Sequence, residues 1–468
     1  MDLCIRNGTV VFETGTQKAD IYVDNGKIVG IYEQGSTPCA KQDIHRIIDA
    51  DSLVVFPGCI DPHIHLGLYD DFDTDFRIDT RAAACGGLTT LVNYYREAGS
   101  YMNTLPPILD TAAKNSLVDF AFTLGIVADY HLSEVPQYVH DLGITSFKFY
   151  CGYQNRIPAM LGIPEDQALR LDRADMYEIS RVLSSVRSDD GRSALMCIHC
   201  EDAEIFNKIG EHMRLSGTTD GTLETFARTR PDFAETLAVM NAMYINRVTG
   251  GRLYIVHLSS ASSVGMIENF RNRFPSQVTV ETCPQYLLLN DTSECNLKGK
   301  VYPPMKRRAD SDALWNGLKS GTVNTMGTDN CPIHLSKKTE KGNGMWEVLP
   351  GFPGAGYILP ALISEGYHKR GLSLERIAQV TSINTARAFN LDSKGAIRLG
   401  ADADFAIVDL DWERPVCPEI YGNCDFSVYD GMSFKGWPRY TVSRGEVIQE
   451  NGKITAESGR GQFIKRSL

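Results

Sequence analysis

Leu53-Val54-Val55-Phe56-Pro57-Gly58-Cys59-Ile60-Asp61-Pro62-His63-Ile64-His65 is an apolar run that ends in two histidines, and reading its first part, Leu53 to Ile60, as a buried strand decides the fold. Seven further short apolar runs follow: Leu88 to Tyr94, Phe120 to Val127, Ser146 to Tyr150, Ala194 to His199, Leu253 to Leu258, Val278 to Cys283 and Thr325 to Asp329. The segments between them, such as Ala174 to Val186 and Glu235 to Val248, carry apolar residues at helical spacing. Strands alternating with helices indicate βα units on a parallel sheet. Eight such units predict an α/β fold of the (β/α)8 TIM barrel type, in which active sites lie at the C-terminal ends of the strands.

The chain ends read differently. Asp20 to Asp24 and Lys27 to Ile31 are strand-like and flank Asn25-Gly26, the strongest short hairpin signal. Ala403 to Leu410 and Tyr440 to Ile448 have the same character, with a second Asn-Gly at Asn451-Gly452. The expected organisation is a small β-sandwich built from residues 1–54 and 396–468 around a barrel of residues 55–395.

A length of 468 residues suits a barrel with an appended domain. The net charge of −11, from 47 Lys+Arg against 58 Asp+Glu, comes without a dense basic stripe and argues against a nucleic-acid partner. No apolar run is long enough to span a bilayer, and Met1 to Gly8 lacks the pattern of a secretory leader, so a soluble cytoplasmic protein without membrane association is expected. The 12 cysteines have no regular disulfide spacing, and the close pair Cys197 and Cys200 reads as packing at a strand end.

Chemistry concentrates where the strands stop. His63 and His65 are two apart and project to one face of their strand. Three further strands end in Cys197-Ile198-His199, Tyr254-Ile255-Val256-His257 and Met326-Gly327-Thr328-Asp329. Imidazole and carboxylate are suitable ligands for zinc and related divalent ions. In Ser146-Phe147-Lys148-Phe149-Tyr150 a lysine faces the same rim. It is open to three readings: a buried lysine paired with an acid, a lysine turned to solvent, or a neutral amine that takes up CO2 and bridges two metals about 3.5–4 Å apart as a carbamate.

With these residues in view, the chain resembles the hydantoinase and dihydropyrimidinase branch of the cyclic amidohydrolases. The resemblance spans essentially the full length and includes Thr282-Cys283-Pro284-Gln285-Tyr286-Leu287, Gly327-Thr328-Asp329-Asn330-Cys331 and Gly400-Ala401-Asp402-Ala403-Asp404. It implies six metal ligands, His63, His65, Lys148 as N6-carboxylysine, His199, His257 and Asp329, holding two divalent ions, zinc by family habit. It also implies that Tyr153, five residues after Lys148, polarises the substrate carbonyl. In the implied reaction a metal-bridging hydroxide opens a hydantoin or dihydropyrimidine to an N-carbamoyl amino acid, with Asp329 as general base and then acid. A homotetramer or homodimer is implied as well.

Some positions depart from that pattern. Where relatives contact the cyclic amide through a Ser-Pro-Pro segment, this chain has Tyr302-Pro303-Pro304, which makes Tyr302 a substrate-binding candidate. The Asn-Gly turn after strand eight is replaced by Pro350-Gly351-Phe352-Pro353-Gly354, and Ile157 to Leu161 offers an apolar wall for a ring substituent. Dihydroorotase is disfavoured, because Leu66-Gly67-Leu68 follows His65 where that enzyme type has an arginine. Allantoinase is the alternative activity. Non-catalytic scaffold relatives of the collapsin-response-mediator type have lost metal ligands, whereas all six positions are present here.

Overall fold

The computed structural model describes residues 1–36, 44–218, 220–274 and 277–468. Eight strands, Cys59–Ile64, Leu88–Tyr95, Asp119–Gly125, Ser146–Tyr150, Leu195–His199, Arg252–Ile255, Val278–Thr282 and Thr325–Met326, pair in that order, all parallel. The ring closes through a parallel bridge between Ile64 and Asn330 and through the Asp329 amide, which donates to the His63 carbonyl at 2.9 Å. This is the expected barrel. Val92, Tyr94, Ala121, Leu195, Cys197, Tyr254 and Val256 fill its interior against Phe389.

Strand one differs from the expectation. The apolar run from Leu53 is divided at Pro57-Gly58: Val54–Pro57 pairs with Leu3–Phe12 and Phe405–Pro415, and only Cys59–Ile64 enters the barrel. Both halves are buried, so hydrophobicity alone cannot mark the point at which the chain changes sheets.

Among the described residues the second sheet has nine strands and is mixed, drawing on both chain ends, with Val54–Pro57 joining the N-terminal strands to the C-terminal ones. Its two halves meet over a core that includes Ile5, Val23, Ile28, Phe405 and Val442. Both Asn-Gly dipeptides form the expected hairpins. Asn25 and Gly26 have φ of 50° and 73° between paired Asp24 and Lys27, and Asn451 and Gly452 have 49° and 81° between Glu450 and Lys453. Positive φ at both central positions is the geometry that favours this dipeptide. The run Tyr440 to Ile448 is itself a hairpin, Ser433–Ser443 and Glu446–Glu450, turning at Arg444-Gly445.

The C-terminal tail returns to the barrel. Phe463 bridges to Phe120, and the buried Arg466 donates to Ser146 Oγ at 3.0 Å and to the Phe122 carbonyl. Among the described residues no helix is long and apolar enough to cross a membrane.

Candidate metal centre and active site

All eight residues singled out from the sequence line one cleft of about 280 Å³ at the C-terminal rim: His63, His65, Lys148, Tyr153, His199, His257, Tyr302 and Asp329. Two groups of donor atoms face each other across it. In the first, Asp329 Oδ1 lies 3.5 Å from His63 Nε2 and 3.2 Å from His65 Nε2, and one ligand atom from each residue lies within 4.8 Å of the others. In the second, His199 Nδ1 lies 2.9 Å from His257 Nε2. The rings of His63 and His257 stand 5.4 Å apart, which brings the groups together.

Two of the rings, those of His63 and His199, are aimed by a carboxylate behind them. Glu281 Oε1 accepts from His63 Nδ1 and from the His257 amide, both at 2.9 Å, while Tyr254 donates to Oε2 at 2.8 Å. His199 Nε2 donates to Glu201 at 2.8 Å, and Arg230 lies 3.4 Å from the same carboxylate oxygen. Asp61 accepts from the His63 amide and the Thr328 amide, each at 3.1 Å, and ties strand one to strand eight. Gly327 is required by close approach: a Cβ there would stand 2.7 Å from the Glu281 carboxyl. His257 and Asp329 hold left-handed backbone at φ 42° and 54°, a conformation that costs about 1–3 kcal/mol at a non-glycine residue and concentrates at functional sites.

The electrostatics follow from burial. His63 and His257 are driven well below the ordinary imidazole value by desolvation, so their rings are neutral and able to ligate. Desolvation would raise Asp329, but His63, His65 and Lys148 outweigh it and hold the carboxyl low. Glu281 and Asp61 are pushed up, to about 8 and about 7, mainly by burial. Burial lowers Lys148 to about 8. Lys148 is 2% exposed, and its Nζ lies 5.0 Å and 5.8 Å from the ring centroids of Tyr94 and Tyr150, with no carboxylate ion-paired to it among the described residues. Of the three readings of this lysine, the paired and the solvent-facing ones are absent.

The donor set fits divalent metal. His63 Nε2 is buried without a hydrogen-bond partner, and an orphaned buried nitrogen beside a carboxylate is what a ligand awaiting its ion presents. Glu201, Glu281, Arg230 and Arg96 escaped the sequence reading. The one available signal was Glu281, an acid inside the apolar strand Val278–Thr282.

Residues 54–454 match the pattern described as the amidohydrolase family. The chain belongs to that family. Among amidohydrolase relatives, a D-hydantoinase of Geobacillus stearothermophilus is 31% identical over 486 residues, covering 100% of this chain and 97% of the relative. A D-phenylhydantoinase of Escherichia coli is 32% identical over 485 residues, covering 100% and 98%. The crystal structure of a dihydropyrimidinase from Brevibacillus agri superposes with a TM-score of 0.88 at 29% identity, covering 100% of this chain and 99% of that one. An L-hydantoinase from Arthrobacter aurescens gives 0.86 at 27% identity, covering 99% and 100%.

Proposed function

We propose that this amidohydrolase opens a cyclic amide, a hydantoin or a dihydropyrimidine, by hydrolysis to an N-carbamoyl amino acid. The observation that carries the reading is the unpaired, buried Lys148 in one cleft with the His63/His65/Asp329 and His199/His257 groups. The full-length similarity to hydantoinases and dihydropyrimidinases supports the substrate class.

His63, His65, His199, His257, Asp329 and Lys148 as its carbamate would hold two divalent ions, zinc by chemistry of the donors. Bound there, such ions acidify the attacking water and polarise the ring carbonyl. Asp329 takes the proton of that water and returns it to the amide nitrogen as the ring C–N bond breaks. The Tyr153 phenol, kept protonated by burial, donates to the carbonyl oxygen as negative charge develops on it. Tyr302 borders the ring site from the loop after strand seven, 6.5 Å from Tyr153 between ring centroids, with the Arg230 guanidinium 4.0 Å from its own centroid. Ile157 and Met160, on the short helix Arg156–Met160, supply the apolar wall for a ring substituent.

Turnover of dihydrouracil, hydantoin, substituted hydantoins, allantoin and dihydroorotate by metal-loaded protein tests the reading. Ring opening of a hydantoin or dihydropyrimidine, nearly abolished in Lys148→Ala, is expected. Equal activity of the variant removes the bridging role, and turnover of allantoin alone reassigns the substrate. Assembly as a homodimer or homotetramer belongs to the same reading, supported by the exposed apolar stripe Phe233, Met240, Tyr244 and Val248 on helix Asp232–Thr249. A monomer in light scattering at micromolar concentration removes it.

A further inference from the structure

Arg96 follows strand Leu88–Tyr95 directly and lines the cleft with His65, Lys148 and Asp329. Its guanidinium carbon lies 5.4 Å from the Tyr150 ring centroid, and the groups that act on it most strongly are the phenols of Tyr150, Tyr153 and Tyr69. Among the described residues it has no ion pair with a carboxylate. Arg230, also beside the cleft, is different: Glu201 already neutralises it at 3.4 Å. Gly125 packs close to the start of this side chain: a Cβ there would stand 3.1 Å from Arg96 Cβ and 3.1 Å from the Tyr150 ring. A second cation, Arg156, lines the same cleft and, among the described residues, donates only to the neutral Asn207, at 3.0 Å. Asp329 is the only acid among the lining residues.

A partly buried guanidinium without an anion is a costly arrangement unless a ligand supplies one. Its forked donors match a carboxylate in a way that a lysine ammonium does not. We propose that Arg96 receives the carboxylate of an acidic ring substituent, so that the substrate class of this site is a cyclic amide carrying a carboxylate arm. This rests on the ring-opening reading and narrows it: the ring sits over the donor groups while the arm reaches toward the end of strand two.

The test compares a hydantoin bearing a propionate arm with its propionamide isostere, on metal-loaded wild type, Arg96→Gln and Arg96→Lys. The quantity read is the ratio of kcat/KM for the two substrates within one preparation, which is independent of the fraction of variant that folds. Wild type is expected to favour the propionate, and Arg96→Gln to lower the ratio on the order of tenfold to a hundredfold, the range of a charged hydrogen bond. Arg96→Lys, with charge but no fork, falls between. Calorimetric binding of both compounds to Asp329→Asn, with and without Arg96→Gln, is expected to show the same loss without turnover. A ratio unmoved by Arg96→Gln overturns the proposal, as does rejection of the propionate by an enzyme that opens unsubstituted hydantoin; both leave the ring-opening reading standing. Failure to open any cyclic amide overturns both.

Discussion

Glu281 accepts the Nδ1 proton of His63 at 2.9 Å and thereby turns Nε2 of that ring toward Asp329. The same oxygen accepts from the His257 amide, so one carboxylate fixes a ring of the first donor group and the backbone of the second. A ligating histidine held this way has its tautomer set and its basicity raised. Glu281→Gln keeps the shape of the side chain but replaces one of its two oxygens by an amide nitrogen that donates and cannot accept. Metal retained after dialysis against a chelator, measured by elemental analysis, is expected to show an affinity lower by about tenfold to a hundredfold. Wild-type retention in the variant would mean that Glu281 only fills space.

Asp329 combines a chemical demand with a conformational one, because its backbone sits at φ 54°. Asparagine tolerates left-handed backbone better than most residues, whereas alanine does not. Asp329→Asn is therefore expected to keep the thermal midpoint near that of wild type while kcat falls on the order of 10²- to 10⁴-fold through loss of the proton carrier. Asp329→Ala should lose activity and also unfold at a lower temperature. Retention of more than a tenth of wild-type kcat by Asp329→Asn would assign the proton transfers to another group.

The contrast between Ser146–Tyr150 and the run beginning at Leu53 shows what the sequence could tell. The first is bounded by polar or turn residues and has the same limits as a predicted strand and in the fold. The second is apolar on both sides of Pro57-Gly58, and the change of sheet depends on partners far along the chain. The site behaves likewise. His63, His65, His199, His257 and Asp329 end strands, and position alone marked them. Glu281 meets His63 across 218 residues, a proximity that arises only when the barrel closes and that leaves no local spacing to read. Arg96 and the Glu201–Arg230 pair were hidden for the same reason.

His131 gives a pH dependence remote from the donor groups. It is fully buried, stacked on Tyr101 at 4.3 Å, and donates from Nε2 to the Gly99 carbonyl at 2.8 Å. Burial lowers it to about 4, from 6.5 for the free side chain. As pH falls below about 6.5 the unfolded chain takes up this proton while the folded chain does not, so stability is lost between pH 6.5 and pH 4. The full loss is about 3 kcal/mol, of which about 2 kcal/mol accrues by pH 5. His131→Gln lacks the titrating group. Its thermal midpoint should fall less than that of wild type between pH 7 and pH 5, and parallel declines would exclude the assignment.

Lys338 is buried completely, yet no carboxylate answers it among the described residues; its Nζ donates to the carbonyls of Gly351 at 2.6 Å, Leu349 at 2.8 Å and Lys300 at 3.3 Å. Burial pushes it down to about 7. Lys300 repeats the device on Met345 and Val348, at 2.7 and 2.6 Å. Together they pin the segment whose Leu349, Pro350 and Gly351 wall the cleft, and Tyr69 adds a bond to the Pro350 carbonyl at 3.0 Å. Lys338→Met keeps the length of the side chain and takes the ammonium donor from the Gly351 and Leu349 carbonyls, each worth about 1–3 kcal/mol when unpaired, while the Lys300 carbonyl keeps the Gly351 amide at 2.9 Å. The expected result is a loss of at least about 2 kcal/mol in stability and, because the wall moves while the donor groups do not, a KM that rises more than kcat falls. A wild-type KM in a folded Lys338→Met protein would show that the wall holds its shape without the lysine.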